Sequence, residues 1–522
     1  MPIIVPGSFL PTRRAFTGAL GGVALAGLLP RGASAEGASA NLAMVGEPQS
    51  LDPMASTADL VGIIMQHVYE PLFTFDANWV IKPMLAAELP KISGDGLTYT
   101  IALRSGVKLH NGRDLDASDV VASLQRWLAM TPRGTSLAKS ITAVTAKDAA
   151  TVEIALRAVE PALLAHLALP SGFAGIMAKE TIDKDKATTP LVEFIGTGPY
   201  KFRERKADQY VVLVRHEAYA ARAEPASGYA GKREAKIAEL RFIPVPNANT
   251  RVEGVVAGQY HFADQLPVEG AKRVAGGANA VVTMPYGFPY IVTNTKQGPM
   301  ADLKLRRAFQ LALSEEDMLF AGFGDPQFFA VAAEHFPKGS PFYSNAGADQ
   351  YNKGDAQAAK ALLTEAKYGG APIRILNSKQ YDFHSRIALV MAEQLKAAGF
   401  AVELDVVDWA TLIQRRGDPT LWDVYVTHSA FLPEPMLSPP QLGDGAPGWW
   451  KTPAKDAALA AFNAELDPAK RGALWGKVQQ VVYDEVPYVR VGNFAALSGV
   501  SKAMQGYAPM PWPAFWNAGL AK

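Results

Sequence analysis

The order of strands and helices between residues 373 and 426 constrains the fold of this chain more than any other feature. Residues 373–376 are a short apolar run that is typical of a buried strand. A helical pattern over about 384–398 follows it and ends at Gly399, a residue at which helices commonly stop. The alternating apolar run that begins at Val402 then predicts a second strand. Strand–helix–strand order implies right-handed crossovers, so the sequence predicts an α/β protein with a parallel-containing sheet.

Side chains that suit a small polar ligand follow these strands. Trp409 and Arg416 come after the second strand, and the next strand ends near His428, with Phe431 and Glu434 beyond it. Because strand ends in open α/β sheets face a crevice, these five residues are candidate ligand-binding residues. An ordinary structural unit gives the same pattern. In that alternative Trp409 fills a core, Arg416 is a solvated helix charge and His428 is a buried structural histidine.

The first 35 residues are predicted to be an export signal that does not belong to the fold. The pair Arg13-Arg14 stands before Phe16, and an apolar run rich in glycine and alanine follows it. Residues 33–35 form a small-residue cleavage site. The apolar run is too short for a stable membrane span, and the arginine pair resembles the signal of the pathway that exports folded proteins. We therefore expect a periplasmic protein that uses the twin-arginine route, with cleavage after Ala35; an uncleaved anchor is the alternative.

Composition narrows the possible partners of the folded part. A chain of 522 residues with 49% hydrophobic and 19% charged residues is long enough for two or three folded domains. A formal net charge of +1 gives no basic field for binding nucleic acid. The sequence contains no cysteine, which excludes disulfides, thiol nucleophiles and thiolate metal sites.

Motifs of common catalytic sites are missing from the sequence. There is no Gly-x-Ser-x-Gly elbow and no Walker loop. His216-Glu217 begins a string like that of zinc proteases, but residue 220 is alanine where the second histidine would stand. We therefore expect a protein that is not an enzyme and that needs no cofactor or metal; a secreted hydrolase is the alternative from another class.

Several strings along the chain together resemble one protein family. They are Leu51-Asp52-Pro53, Tyr69-Glu70-Pro71-Leu72-Phe73, Asp116-Ala117-Ser118-Asp119-Val120, Gly196-Thr197-Gly198-Pro199-Tyr200 and the final run that begins VPYVRVGNF. As a set they resemble the family-5 extracytoplasmic solute-binding proteins, which serve peptide, opine and nickel transporters of the ATP-binding-cassette type. The resemblance covers essentially the whole mature chain.

The resemblance implies a fold and an arrangement of domains. The expected fold is an α/β, two-lobed periplasmic binding protein, type II-like and of the larger three-region kind, with a cleft between the lobes. After the export signal, 1–35, the expected regions are a first lobe over 36–290, a β-rich subdomain of that lobe over about 78–190, a second lobe over 291–488 and a C-terminal return to the first lobe over 489–522.

The resemblance also carries over a set of site residues. Trp409 matches a tryptophan that lines the pocket, Arg416 a basic position near the ligand carboxylate, and Glu434 an acidic residue in a proline-flanked motif. Phe431 is a departure, because peptide binders can carry an acidic residue there that pairs with the α-amine of the ligand. Tyr290 lies where the chain passes between lobes and is a hinge or pocket-wall candidate.

The function that the resemblance implies is that of a receptor without bond chemistry. We expect a monomer that captures a peptide or peptide-like solute by lobe closure and delivers it to an ABC permease in the membrane. Phe431 motivates the alternative of an opine, glycoside or nickel-chelate ligand, because an unpaired ammonium in a dry cleft is costly.

Overall fold

A computed structural model describes residues 38–521 except for 49, 57, 183–188, 277–278, 380–381, 408, 438–439 and 444. The predicted export signal therefore lies outside the described residues. Within the described part of the chain, no helix is long and apolar enough to cross a membrane.

The strands of the described chain are β1 Ser39–Met44, β2 Phe73–Phe75, β3 Ile81–Pro83, β4 Lys91–Ile92, β5 Thr98–Ala102, β6 Ile141–Asp148, β7 Thr151–Leu156, β8 Tyr200–Lys206, β9 Tyr210–Arg215, β10 Glu239–Pro244, β11 Phe262–Ala263, β12 Asn279–Thr293, β13 Phe329–Ala330, β14 Ile373–Ser378, β15 Val402–Val407, β16 Val424–Ala430, β17 Tyr488–Arg490, β18 Asn493–Ser501, β19 Met504–Gln505 and β20 Gly519–Leu520. The helices are α1 Asp59–Met65, α2 Ala117–Met130, α3 Pro132–Leu137, α4 Leu163–Ala168, α5 Ala248–Val256, α6 Val268–Ala275, α7 Leu303–Ala312, α8 Glu315–Phe323, α9 Ala356–Glu365, α10 Asp382–Ala397, α11 Trp409–Arg415, α12 Pro453–Ala464 and α13 Pro468–Glu485.

A mixed sheet of twelve strands connects most of the chain. Its order is β15-β14-β16-β12-β18-β11-β1-β10-β9-β8, with β17 beside β12 and β13 beside β18. Strand β14 pairs in parallel with both β15 and β16, and α10 connects β14 to β15. The strand–helix–strand prediction and the α/β class that it implied are thus confirmed.

Strand β12 is the longest strand of the described chain and lies in the middle of this sheet, between β16 and β18. Residues 279–285 pair antiparallel with β18, and residues 287–293 pair antiparallel with β16. The register shifts between Pro285 and Gly287. A Cβ atom at Gly287 would lie 2.1 Å from the carbonyl oxygen of Ser429, so only glycine permits this close approach of two backbones.

The C-terminal segment packs on elements from the beginning of the chain. Trp512, Phe515 and Trp516 are buried in the same apolar cluster as residues of β1 and α1. The backbone N–H of Phe515 donates to His67 Nε2 at 2.9 Å, and Trp512 Nε1 donates to Asp59 Oδ1 at 2.7 Å. A separate cluster contains apolar residues between 288 and 488 only.

A smaller antiparallel sheet of order β4-β5-β7-β6 lies within residues 91–156. Helix α2 begins with a capping box, in which the side chain of Asp116 accepts from backbone N–H groups and Asp119 reaches back to the N-cap N–H. The buried face of α2 includes Val120, Leu124 and Trp127, as its amphipathic spacing predicts.

Candidate ligand-binding site

A cavity of about 170 Å³ lies where three separate parts of the chain meet. Ala77 and Trp79 line it together with the C-terminal Pro509, Met510 and Pro511. Met284, Gly287 and Asn493 of the paired strands β12 and β18 line it as well, and so do His335, Pro337 and Phe431. Concave sites that are mostly apolar, with a few polar groups, are the usual form of a small-molecule pocket.

An aromatic pair forms the apolar side of the cavity. The ring centroids of Trp79 and Phe431 are 5.0 Å apart at an interplanar angle of 55°. Phe431 also contacts Phe336, with a centroid distance of 5.9 Å, and its side chain is only 8% exposed. Trp79 precedes the crossing strands and Phe431 follows β16, so this contact joins the two sides of the cavity.

Asn493 and His335 supply polar groups to the cavity wall. Asn493 Oδ1 accepts a hydrogen bond from Arg490 Nη2. His335 Nε2 and the hydroxyl of Tyr488 are 3.0 Å apart, while His335 Nδ1 has no hydrogen-bond partner among the described residues. Burial, and next the positive charge of Arg490, hold the pKa of His335 well below its usual range, so this ring is neutral.

The carboxylate of Glu434 is paired with Arg471, which does not line the cavity. Its two oxygens accept from Arg471 Nη2 at 2.9 Å and Nη1 at 3.0 Å, and both side chains are buried. Burial raises the pKa of Glu434, and the ion pair with Arg471 opposes that shift. A buried, bidentate ion pair of this kind stabilises the fold near Phe431 and is not available to a ligand.

His428 lies on the other face of the sheet. Alternation along β16 places it with Val424 and Val426, whereas Tyr425 packs in the cluster that contains Phe431. His428 Nδ1 lies 3.0 Å from His384 Nε2, and burial lowers the pKa of His428 to about 4. The sheet thus separates His428 from the cavity on which Phe431 stands.

Tyr290 and Arg416 lie on the same face of the sheet as Phe431. Tyr290 is 3% exposed, and burial raises its pKa. The positive charge of Arg416 acts in the opposite direction on the pKa values of both Tyr290 and Tyr425, which places that charge near this face. Arg416 is half-buried and follows α11, which Trp409 opens, but the side chain of Trp409 lies outside the described part of the chain.

A family model matches the middle of the chain. The model for bacterial extracellular solute-binding proteins, family 5 Middle, matches residues 80–447, which is well over half of the chain. The chain belongs to this family. The predicted resemblance to family-5 solute-binding proteins is therefore confirmed.

Individual relatives agree with the family match along almost the full chain. A probable peptide ABC transporter periplasmic-binding protein of Sinorhizobium fredii is 28% identical over 89% of this chain and 90% of its own. The glutathione-binding protein of Salmonella paratyphi A is 27% identical, over 88% of this chain and 90% of its own.

Solved structures share the fold. The structure of HbpA2 from Haemophilus parasuis superposes with a TM-score of 0.79 at 22% identity, over 93% of this chain and 100% of that one. The two-lobed periplasmic binding protein fold that the sequence predicted is thereby confirmed. In this family-5 protein the cavity lies at the crossing strands, between the side that carries Trp79 and the side that carries Phe431.

Sequence reasoning did not find Trp79, His335 or Asn493. They stand far apart in the chain and converge around the paired strands β12 and β18 in the middle of the sheet. Asn493 does stand in the string VPYVRVGNF, whose resemblance to the family assigns no role to its polar residues. A polar pair, Arg490 and Asn493, inside an apolar strand pattern was the available signal.

Proposed function

We propose that this family-5 protein is the periplasmic binding component of an ABC importer and that it captures a peptide or peptide-like solute. The observation that carries the proposal is the cavity lined by the aromatic pair Trp79 and Phe431 and by the polar residues Asn493 and His335. The relatives named as peptide- and glutathione-binding proteins support the same ligand class. The protein acts as a monomeric receptor that hands its solute to the permease, and it binds no nucleic acid.

Closure of two lobes around the ligand is the proposed mechanism. The bend lies in β12 near Gly287 and in β18, because these strands connect both sides of the cavity. This placement is compatible with the predicted lobes, 36–290 and 291–488, whose boundaries stay a prediction. A ligand that contacts both sides stabilises the closed state by its differential affinity for that state.

The proposed ligand contacts are Phe431 and Arg416, and Trp409, which the family resemblance assigns to the pocket, stays a candidate contact. Tyr290 supports the wall from within the buried cluster. Glu434 and His428 act through packing, because Glu434 is paired with Arg471 and His428 lies on the opposite face.

A second candidate ligand class is an opine, glycoside or nickel chelate. None of the residues that line the cavity in the described chain is acidic, so the free amine of a peptide meets no carboxylate there. A third candidate, a secreted hydrolase, would require that a bound compound be turned over.

Thermal denaturation of the mature protein with a solute panel tests these candidates. The panel contains tripeptides, glutathione, an opine, a glycoside and a nickel chelate, each at 1 mM. A peptide at 100 times its Kd stabilises the folded state by about 2.7 kcal/mol. Stabilisation by non-peptide members alone would reject the peptide proposal, and recovery of a chemically altered ligand by mass spectrometry would reject the receptor proposal.

Export by the twin-arginine route is part of the proposal. The double substitution Arg13→Lys and Arg14→Lys preserves charge but removes the arginine pair of the signal. We expect the protein to stay in the cytoplasm, as measured by cell fractionation and immunoblotting, and to keep its uncleaved length. Normal periplasmic accumulation of this variant would assign the signal to the general export route.

A further inference from the structure

Arg490 lies behind Asn493, a polar residue of the cavity lining to which it is hydrogen-bonded. It ends β17 opposite Tyr290 of β12, and its side chain is 3% exposed. The guanidinium carbon lies 4.1 Å above the ring centroid of Phe288, and Nη2 donates to the Oδ1 of the cavity residue Asn493.

The rest of this guanidinium lacks partners. Nε and Nη1 of Arg490 are buried and have no hydrogen-bond partner among the described residues. Three other buried arginines of the described chain face oxygens: Arg126 pairs with Asp52, and Arg306 donates to three backbone carbonyls. Arg233 also has Nε and Nη1 without hydrogen-bond partners, but a carboxylate oxygen of Glu70 lies 3.6 Å from its Nη1. A guanidinium does not deprotonate in proteins, so an unpaired buried one is costly and calls for an anion.

The groups around Arg490 do not supply that anion. The hydroxyls of Tyr351 and Tyr483 donate to the carbonyls of Val491 and Ala333, at 2.8 and 2.7 Å. Burial has the largest effect on the pKa of Arg490 and lowers it. Three tyrosines and then Glu334 raise this pKa, and Glu334 has the smallest effect of these. No described ion pair joins Glu334 to Arg490.

We infer that Arg490 recognises an anionic group of the ligand at the Asn493 and His335 side of the cavity. The ligand is then a carboxylate-bearing solute whose apolar part packs on Trp79 and Phe431. Because no acidic residue lines the cavity in the described chain, the ligand needs no free α-amine. This assignment deepens the proposed function and rests on it for the identity of the cavity as the ligand site.

Four forms of one tripeptide test the ligand class. Ala-Leu-Ala is used with free ends, with an acetylated N-terminus, with an amidated C-terminus and with both ends blocked, and binding is measured by isothermal titration calorimetry. We expect the acetylated form to bind within threefold of the free form and both amides to bind at least tenfold more weakly. Equal binding of acid and amide would overturn the assignment and leave the peptide-binding proposal intact.

Substitutions of Arg490 test whether this residue causes the preference for the acid over the amide. In Arg490→Met the preference for acid over amide should fall to about onefold, and in Arg490→Lys it should be partly retained. Arg306→Met serves as the control, because it removes a buried arginine that only cages carbonyls, and it should keep the full preference. An unchanged preference in Arg490→Met would assign the anion to another residue.

The melting temperature of the ligand-free protein tests whether Arg490 binds an anion or stabilises the fold. A structural arginine stabilises the fold, whereas one kept for an anion does not. Arg490→Met should therefore melt at or above the wild-type temperature, and Arg306→Met should melt below it. If Arg490→Met melts as low as Arg306→Met, Arg490 is structural. If no tripeptide binds the wild type, the peptide proposal fails, and this comparison still decides the role of Arg490.

Discussion

Arg471 and Arg490 are both buried and both stack on phenylalanine rings of one apolar cluster, but they differ in their counter-charge. Arg471 lies 4.3 Å from the ring centroid of Phe462 and holds Glu434 with two hydrogen bonds. Arg490 lies over Phe288 and has Asn493, which is neutral, as its hydrogen-bond acceptor. A buried arginine whose donors are met by a carboxylate or by backbone carbonyls is part of the architecture, and one with unpaired donors is suited to bind an anion from outside.

A buried histidine pair nearby contrasts with both arginines, because histidine can be neutral. His384 and His428 lie within 3.0 Å of each other, and burial lowers their pKa values to about 3 and about 4. A histidine can lose its proton and become neutral, whereas arginine cannot. The His384–His428 pair can therefore be buried without a counter-charge, whereas Arg471 and Arg490 stay charged.

Removal of the carboxylate of Glu434 should give the largest effect. Glu434→Ala leaves Arg471 as an uncompensated buried charge, which typically lowers the free energy of unfolding by about 3–5 kcal/mol. Urea denaturation followed by tryptophan fluorescence measures this change. The control is Glu365→Ala, which breaks the exposed pair between Lys304 and Glu365 and should have a much smaller effect.

A double variant tests whether the instability of Glu434→Ala comes from the unpaired charge of Arg471. Glu434→Leu with Arg471→Met removes both charges and should recover most of the stability that Glu434→Ala loses. If the double variant is as unstable as the single one, lost packing rather than an unpaired charge explains the effect. In that case the contrast between Arg471 and Arg490 loses its physical basis.

Acidification should give the next effect through the histidine pair. Folded-state pKa values of about 3 and 4 lie below the ordinary value of 6.5, so the unfolded chain binds more protons between pH 6.5 and 4. Stability is therefore full above about pH 6.5 and falls as the pH drops toward 4. His428→Gln should reduce the slope of the unfolding free energy against pH by up to about 1.4 kcal/mol per pH unit.

Thermal or urea unfolding at several pH values between 4 and 7 measures that slope. His261→Gln is the matched control, because His261 is less buried and its pKa is lowered less. An identical slope in wild type and His428→Gln would show that the pair is not held neutral. Ligand discrimination should stay unchanged in His428→Gln, since the sheet separates His428 from the cavity.

Local patterns in the sequence were sufficient for the strands and helices around the site but not for the site itself. Alternation at Val402 and helix spacing over 384–398 are properties of neighbouring residues, and they correctly predicted parallel strands joined by a helix. Phe431 and Trp79 meet through sheet pairing that no local pattern encodes. Whether Glu434 faces a ligand or Arg471 depends on a helix that begins more than thirty residues later.

The smallest expected effect concerns the aromatic pair that lines the cavity. Phe431→Ala removes a ring contact with Trp79 that joins the two sides of the cavity, and such pairs contribute about 0.5–1.5 kcal/mol. Affinity for a bound tripeptide should fall roughly 2- to 13-fold, with the acid-over-amide preference kept, because Arg490 is unchanged. Calorimetric titration measures both quantities, and Phe320→Ala, at an exposed phenylalanine, is the control. A loss of the preference without a loss of affinity would contradict the division of the cavity into an apolar and an anion-binding side.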